Sequence, residues 1–335
     1  LAAGRRTPSA RDRARAAVRA ARVAVDLKLL GRPPAAPATQ AVVSGRLHSL
    51  ARDRAAISHH YDLSNQFYSL IMDESMAYSS AYFTHEDATL EEAQRAKLDL
   101  ICAKLGLGPG SRMLDIGCGW GSLTVHAAQH FGARVVGVTI AAEQRDFVEQ
   151  RIKAAGLEDR AEVRLCDYRE VTGTYDAVVS VEMGEHVGER NYPTFTRILH
   201  DRVRPGGRVL VQQMSRAGGS GARPGGGAFI ESFIAPDMHM RPVGETVALI
   251  ESAGLEVRDV HAMREHYVRT VEEWILRFEA NADRLRELVG EEMLRVWRLY
   301  LVGGGAAFRE GRMGVDQILA VRPGADHGLP MERAW

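Results

Sequence analysis

The feature that most restricts the fold of this chain is the run Leu114-Asp115-Ile116-Gly117-Cys118-Gly119-Trp120-Gly121, where an apolar strand runs into alternately spaced glycines before a helix begins at Ser122. Such a turn joins a buried strand to a helix and lets backbone approach a ligand that side chains would otherwise block. The unit then repeats. Arg112–Ile116 reads as a strand, Ser122–His130 as a helix and 134–138 as a second strand. A helix over 142–155 and strands at Ala161–Leu165 and Tyr175–Val181 come next, then a helix over Tyr192–Arg202 and a strand at 208–212. Alternation at these lengths predicts an α/β fold built on a doubly wound parallel sheet of Rossmann-like type.

Other stretches lie outside this repeat. Residues 1–50 read as a basic helical extension and linker, and 51–110 as a helical cap that ends in an amphipathic helix over Leu90–Leu105. The core would occupy 111–335. Within it, the glycine-dense segment 217–227 reads as a loop, and 263–312 reads as a helical insertion, a substrate lid carrying Trp274, Phe278, Trp297 and Tyr300 ahead of a last strand near 316–321.

A chain of 335 residues with 45% hydrophobic content can bury one large core with appended elements. Its 43 lysines and arginines balance 43 aspartates and glutamates, so no global field exists to hold nucleic acid. The local distribution differs. Residues 1–46 carry Arg5, Arg6, Arg11, Arg13, Arg15, Arg19, Arg22, Lys28, Arg32 and Arg46 against Asp12 and Asp26 alone. A helix over 9–30 is then either a solvated extension or a basic amphipathic contact with a membrane surface. No apolar run reaches the roughly 18 residues that a membrane-spanning helix needs. Cys102, Cys118 and Cys166 lack metal-ligand spacing, and the arginine-rich N-terminus lacks the apolar core of a secretory signal. The expectation is a cytoplasmic protein without a metal, peripheral at the inner face of the membrane.

Glycine turns of this kind serve dinucleotides as well. A dinucleotide site ends its second strand with an acid for the ribose hydroxyl, whereas this chain reads Val135-Val136-Gly137-Val138-Thr139-Ile140. Asp115, immediately before the glycines, is placed instead as in methyltransferases.

Five ordered segments then carry a specific resemblance: His60-Tyr61-Asp62-Leu63-Ser64-Asn65, Tyr78-Ser79-Ser80-Ala81-Tyr82-Phe83, the glycine turn itself, Gly137-Val138-Thr139-Ile140 with Glu143-Gln144, and Glu185-His186-Val187-Gly188. The chain resembles the cyclopropane fatty acid synthase family of S-adenosylmethionine enzymes, which includes synthases that add methylene or methyl branches to unsaturated acyl chains. The resemblance implies that Tyr78 and Ser79 meet the methionine end of the cofactor and that Asp115, Gly117, Cys118 and Gly119 lie along it. Thr139 would also bind the cofactor, Gln144 would hold the ribose, and Asp167 with Tyr168 would lie at the adenine, although a tyrosine after a strand is also ordinary core. The implied substrate is the cis double bond of an unsaturated phospholipid acyl chain.

In the family a bound bicarbonate takes the proton released after methyl transfer, held by a glutamate, a histidine, a tyrosine and backbone groups. Glu185 and Tyr300 match the glutamate and the tyrosine. Gln212 stands at the histidine position and cannot carry a proton near neutral pH, so bicarbonate is expected only if an amide suffices. Ser80 and Gly304 stand where relatives often have cysteine. These departures suggest a product formed by proton loss to an exocyclic methylene, which a separate reductase partner would convert to a methyl branch. Similar motifs occur in amine N-methyltransferases, and a catalytically inactive cofactor-binding subunit is a third reading. The roles of His186 and Glu182 stay open, as does the choice between acyl channel and plain core for Phe229, Phe233, Trp274, Phe278 and Trp297.

Overall fold

The computed structural model describes residues 9–26, 37, 39–41, 44–49, 52–53, 63–218, 227–333 and 335. They fall in two compact units, Leu1–Gln40 and Ala41–Trp335. In the first, helix α1 (Ala10–Asp26) forms where the basic stretch predicts one. Arg11, Arg15, Arg19 and Arg22 recur along one side of it at helical spacing, with Val18 and Val25 flanking that row and Ala14, Ala17 and Ala21 following further round. Val18 and Val25 are exposed.

From residue 63 on, the second unit carries a short helix α2 (Asn65–Ser69), capped by Ser64, and helix α3 (Leu90–Leu105), which starts at a Thr89/Glu92 capping box and stops at left-handed Gly106. Between them the chain runs in turns. Asp73 accepts hydrogen bonds from the amides of Ser75 (2.9 Å) and Ala77 (3.1 Å), a local competitor to helix. Among the described residues the expected cap is thus helical over 65–69 and 90–105 and not through 70–89. The motif residues 59–62 and the glycine-dense 219–226 lie outside the described residues.

Strands β1 (Arg112–Ile116), β2 (Arg134–Thr139), β3 (Ala161–Leu165), β4 (Tyr175–Val181) and β5 (Val203–Arg216) alternate with helices α4 (Ser122–His130), α5 (Ala142–Ala154) and α6 (Tyr192–Arg202). After β5 come α7 (Ala228–Phe233), α8 (Val243–Ser252), β6 (Glu256–Ala262), α9 (Arg264–Ala280), α10 (Ala282–Arg309) and β7 (Met313–Val321). The seven-stranded sheet has the order β3-β2-β1-β4-β5-β7-β6.

The sheet is the expected doubly wound, Rossmann-like one, parallel through its first five strands, with an antiparallel strand added near one edge. β1 to β5 pair in parallel, but β7 runs antiparallel to both β5 and β6. The cause is the helical insertion. Helices α9 and α10 leave the sheet at the end of β6 and return at that same end of the strands, so β7 re-enters in the opposite direction, between β5 and β6. A parallel return would need a crossover over a sheet face. β6 escaped sequence reading because it is an edge strand with alternate residues exposed, which dilutes its apolar signal.

One apolar cluster packs α3, α4 and α5 on one face of the sheet, through residues such as Ile101, Leu123 and Val148. A second packs α6 and α8 on the other, through Phe195, Leu199 and Ile250. A third fills the space beneath α9 and α10, and it contains Phe67, Tyr68, Trp120, Trp274, Phe278 and Trp297. Trp274, Phe278 and Trp297 are therefore closed core, while Phe229 and Phe233 are half-buried in a smaller cluster beside Tyr300. Trp297 packs edge-on to Phe67 (4.8 Å between centroids), Tyr68 (5.6 Å) and Tyr300 (5.4 Å), so it fastens the insertion to the core. Trp297→Ala is expected to lower stability by about 3–5 kcal/mol, read as a reduced urea midpoint, because it leaves a cavity at that joint. A midpoint unchanged from wild type would show that the joint lies elsewhere.

Candidate active site

A cavity opens at the C-terminal ends of β1, β2 and β4. This is where a ligand sits in open α/β sheets. Tyr78, Ser79, Asp115, Gly117, Cys118, Gly119, Thr139, Gln144, Asp167 and Tyr168 all line it. The turn after β1 has to be glycine at its first position. Gly117 has φ +75°, and a Cβ there would stand 2.6 Å from Met183 Cγ. At Gly119 (φ +54°) a Cβ would meet nothing within 4 Å. Backbone there faces open space.

The polar groups of the wall are held from behind. Thr124 donates to Asp115 Oδ2 (2.7 Å), and burial pushes the Asp115 carboxyl up to about 6. Thr139 Oγ1 donates to Gln144 Oε1 (2.8 Å), which leaves Gln144 Nε2 buried without a partner. Asp167 takes two hydrogen bonds from the Arg169 guanidinium, which also reaches Asp53 (3.0 Å). Tyr168 is half-buried, edge-on to Phe195. An orphaned amide donor, a backbone cradle and an acid beside it fit a nucleoside with a charged amino-acid tail.

The expected catalytic residues form a second layer around a residue whose role the sequence left open. Glu182, just past β4, lines the cavity and adopts φ +49°, a conformation rare outside glycine that functional sites often hold. Its Oε1 accepts from the Ser80 amide (2.8 Å) and from Gln212 Nε2 (2.8 Å), and its Oε2 from the Tyr267 hydroxyl (2.7 Å). The Ser80 hydroxyl turns away to the Ala81 carbonyl (3.1 Å). Gln212 is oriented in turn by Gln317 Nε2, which donates to Gln212 Oε1 (2.9 Å).

Glu185 is fully buried behind this group. Its Oε1 accepts from the Met214 amide, while its Oε2 has no partner, and burial with the neighbouring Glu182 charge raises its carboxyl to about 8. Tyr300 meets Tyr78 hydroxyl to hydroxyl at 3.0 Å. The Tyr78 ring lies among Tyr68 (5.8 Å), Trp120 (6.4 Å), Trp274 (5.2 Å) and Trp297 (6.4 Å). Gly304 sits on α10, where a Cβ would meet nothing, and His186 lines the cavity rim. Among the described residues, no group of His, Cys, Asp and Glu could hold a metal ion.

Sequence reading missed three residues. Lys97 lies within α3 and reaches the cavity wall, but a charged residue in an amphipathic helix reads as surface. Gln94, one turn earlier on the same face, donates to the Ala77 (3.3 Å) and Ser79 (2.9 Å) carbonyls. Gln317 sits in an apolar strand, and an uncharged polar residue within such a strand was the available signal.

Residues 48–318 match the family described as mycolic acid cyclopropane synthetase. The chain is 43% identical over 295 residues to a probable fatty acid methyltransferase of Pseudomonas putida, a match covering 86% of this chain and 75% of that protein. It is 35% identical over 299 residues to the cyclopropane-fatty-acyl-phospholipid synthase of Escherichia coli, covering 88% and 75%. The crystal structure of the mycolic acid cyclopropane synthase CmaA1 with SAH and CTAB superposes with a TM-score of 0.76 at 30% identity, over 80% of this chain and 98% of that one. The chain therefore belongs to the mycolic acid cyclopropane synthetase family and is an S-adenosylmethionine-dependent methyltransferase acting on lipids.

Proposed function

We propose that this enzyme alkylates the cis double bond of an unsaturated phospholipid acyl chain and forms an exocyclic methylene, with Glu182 as the base. S-adenosylmethionine, when bound, supplies an electrophilic methyl carbon that alkene π electrons can take, leaving a carbocation on the acyl chain. The residues named for the cofactor would hold it along the turn, with Gln144 Nε2 free for the ribose and Asp167 and Tyr168 at the adenine.

The observation that carries this reading is the carboxylate of Glu182 on the Ser80 amide and the Gln212 side chain. Gln212 stands at the position from which the resemblance would have a histidine hold bicarbonate. An internal carboxylate supplies the same base without a dissociable ion, and an amide at 212 then serves better than a histidine because its donor stays a donor at any pH. Glu185, raised to about 8, holds its proton at neutral pH; burial raises the Glu182 carboxyl too, but the donors on it and the Lys97 charge counter that and favour its ionised form. Aromatic faces around Tyr78 favour positive charge nearby. A 1,2-hydride shift would first move the cation onto the carbon that bears the added methyl; a proton of that methyl would then pass to Glu182, the electron pair of its C–H bond forming the exocyclic double bond. A separate reductase would then be needed to give a methyl branch.

Incubation with methyl-labelled cofactor and dioleoyl phosphatidylglycerol, followed by mass spectrometry and proton NMR of the acyl chains, should show vinylidene protons. Cyclopropane as the sole labelled product would overturn the assignment. Glu182→Gln keeps the shape of the cluster and removes the base, so kcat should fall by about 100-fold or more, within the range of general base catalysis. Activity of that variant within a few-fold of wild type would sink the role.

We infer further that α1 meets anionic headgroups, each arginine near the surface contributing about 1 kcal/mol at low salt. Removing residues 1–26 should abolish the salt-sensitive part of co-sedimentation with phosphatidylglycerol vesicles. Binding identical to the full chain would dismiss the contact.

A further inference from the structure

Lys97 is 1% exposed, yet it makes no ion pair among the described residues. Its Nζ has three donors and spends one, on Ser79 Oγ at 2.8 Å. The acids around it are engaged elsewhere: Asp73 by the Ser75 and Ala77 amides, Asp115 by Thr124, and Glu182 by Ser80, Gln212 and Tyr267. A buried ammonium with unfilled donors is costly unless something arrives to fill them. Lys97, Ser79 and Asp115 all line the cavity.

The geometry points to Lys97 and Ser79 as the seat of the carboxylate at the amino-acid end of the cofactor. This assignment rests on the cofactor reading and on no part of the acyl chemistry. S-adenosylmethionine carries a sulfonium, an ammonium and a carboxylate, and only the last is anionic. A lysine ammonium in the wall repels the other two, so it fixes which end of the ligand lies beneath α3. The Ser79 hydroxyl, accepting from Lys97, still has its own proton to donate, so ammonium and hydroxyl together present one donor to each carboxylate oxygen. Asp115, across the same cavity, is left for the ligand's ammonium. Gln94 holds the Ala77 and Ser79 carbonyls and keeps the loop in place for this contact.

Calorimetric titration with two nucleosides tests the assignment without any turnover. S-adenosylhomocysteine keeps the amino-acid end, and 5′-methylthioadenosine lacks it. Lys97→Met should weaken S-adenosylhomocysteine at least ten-fold and change 5′-methylthioadenosine less than two-fold. Ser79→Ala, which keeps the buried charge in place should the lysine variant fail to fold, should show a smaller loss of about three-fold or more on the same nucleoside alone. Equal weakening of both nucleosides in the folded variants would make Lys97 and Ser79 merely structural and overturn the assignment, as would unchanged affinity for S-adenosylhomocysteine. A wild-type chain that binds neither nucleoside would overturn the cofactor reading as well. Loss of activity in Glu182→Gln with nucleoside affinities intact bears on the acyl chemistry and leaves Lys97 where it stands.

Discussion

The carboxylate of Glu182 receives hydrogen bonds from three separate parts of the chain: the Ser80 amide in the loop before α3, the Gln212 side chain on β5, and the Tyr267 hydroxyl on α9. A charge in this position has to be met by donors or it will not stay ionised. Meeting it ties the sheet, the loop that carries Tyr78 and Ser79, and the helical insertion to one point. The left-handed backbone of Glu182 is tolerated because these contacts over-determine it.

Around that point the protein separates charges by depth. Glu185 lies behind with one oxygen unpartnered and is neutral, while Asp115 and Lys97 line the wall with opposite signs. Neutral amides, Gln212 and Gln317, fill the positions between β5 and β7, so the donor facing Glu182 is set by a chain of amide orientations rather than by a titrating ring. The donor at Gln212 consequently does not titrate, where a histidine would.

Most of the frame was legible in the sequence because the βα repeat leaves strong local signals: buried apolar strands, capped helices and a glycine turn that only one backbone path satisfies. The strands through β4 and helices α3, α4 and α6 fall where the periodicity predicts them. β6 and the direction of β7 were not legible, since an exposed edge strand has little apolar contrast and strand direction is a property of the connection. The same divide holds in the site. Residues beside the glycine turn could be named from motif position, whereas Lys97, Gln94 and Gln317 act from elements whose pattern reads as helix or strand. Glu182 was visible but undecidable, because its meaning depends on partners 102, 30 and 85 residues away.

The antiparallel return of β7 has a consequence for how such an enzyme can change. Both ends of the α9–α10 insertion are anchored to adjacent strands at one edge of the sheet, so it forms a roof standing on two neighbouring pillars rather than a flap on a single hinge. A roof of another length or lining can stand on the same pillars without disturbing the register of β1 to β5 or the turn that cradles the nucleoside. The acceptor specificity of this architecture is thereby separable from its cofactor chemistry, and new substrates are open to it through one contiguous stretch of chain.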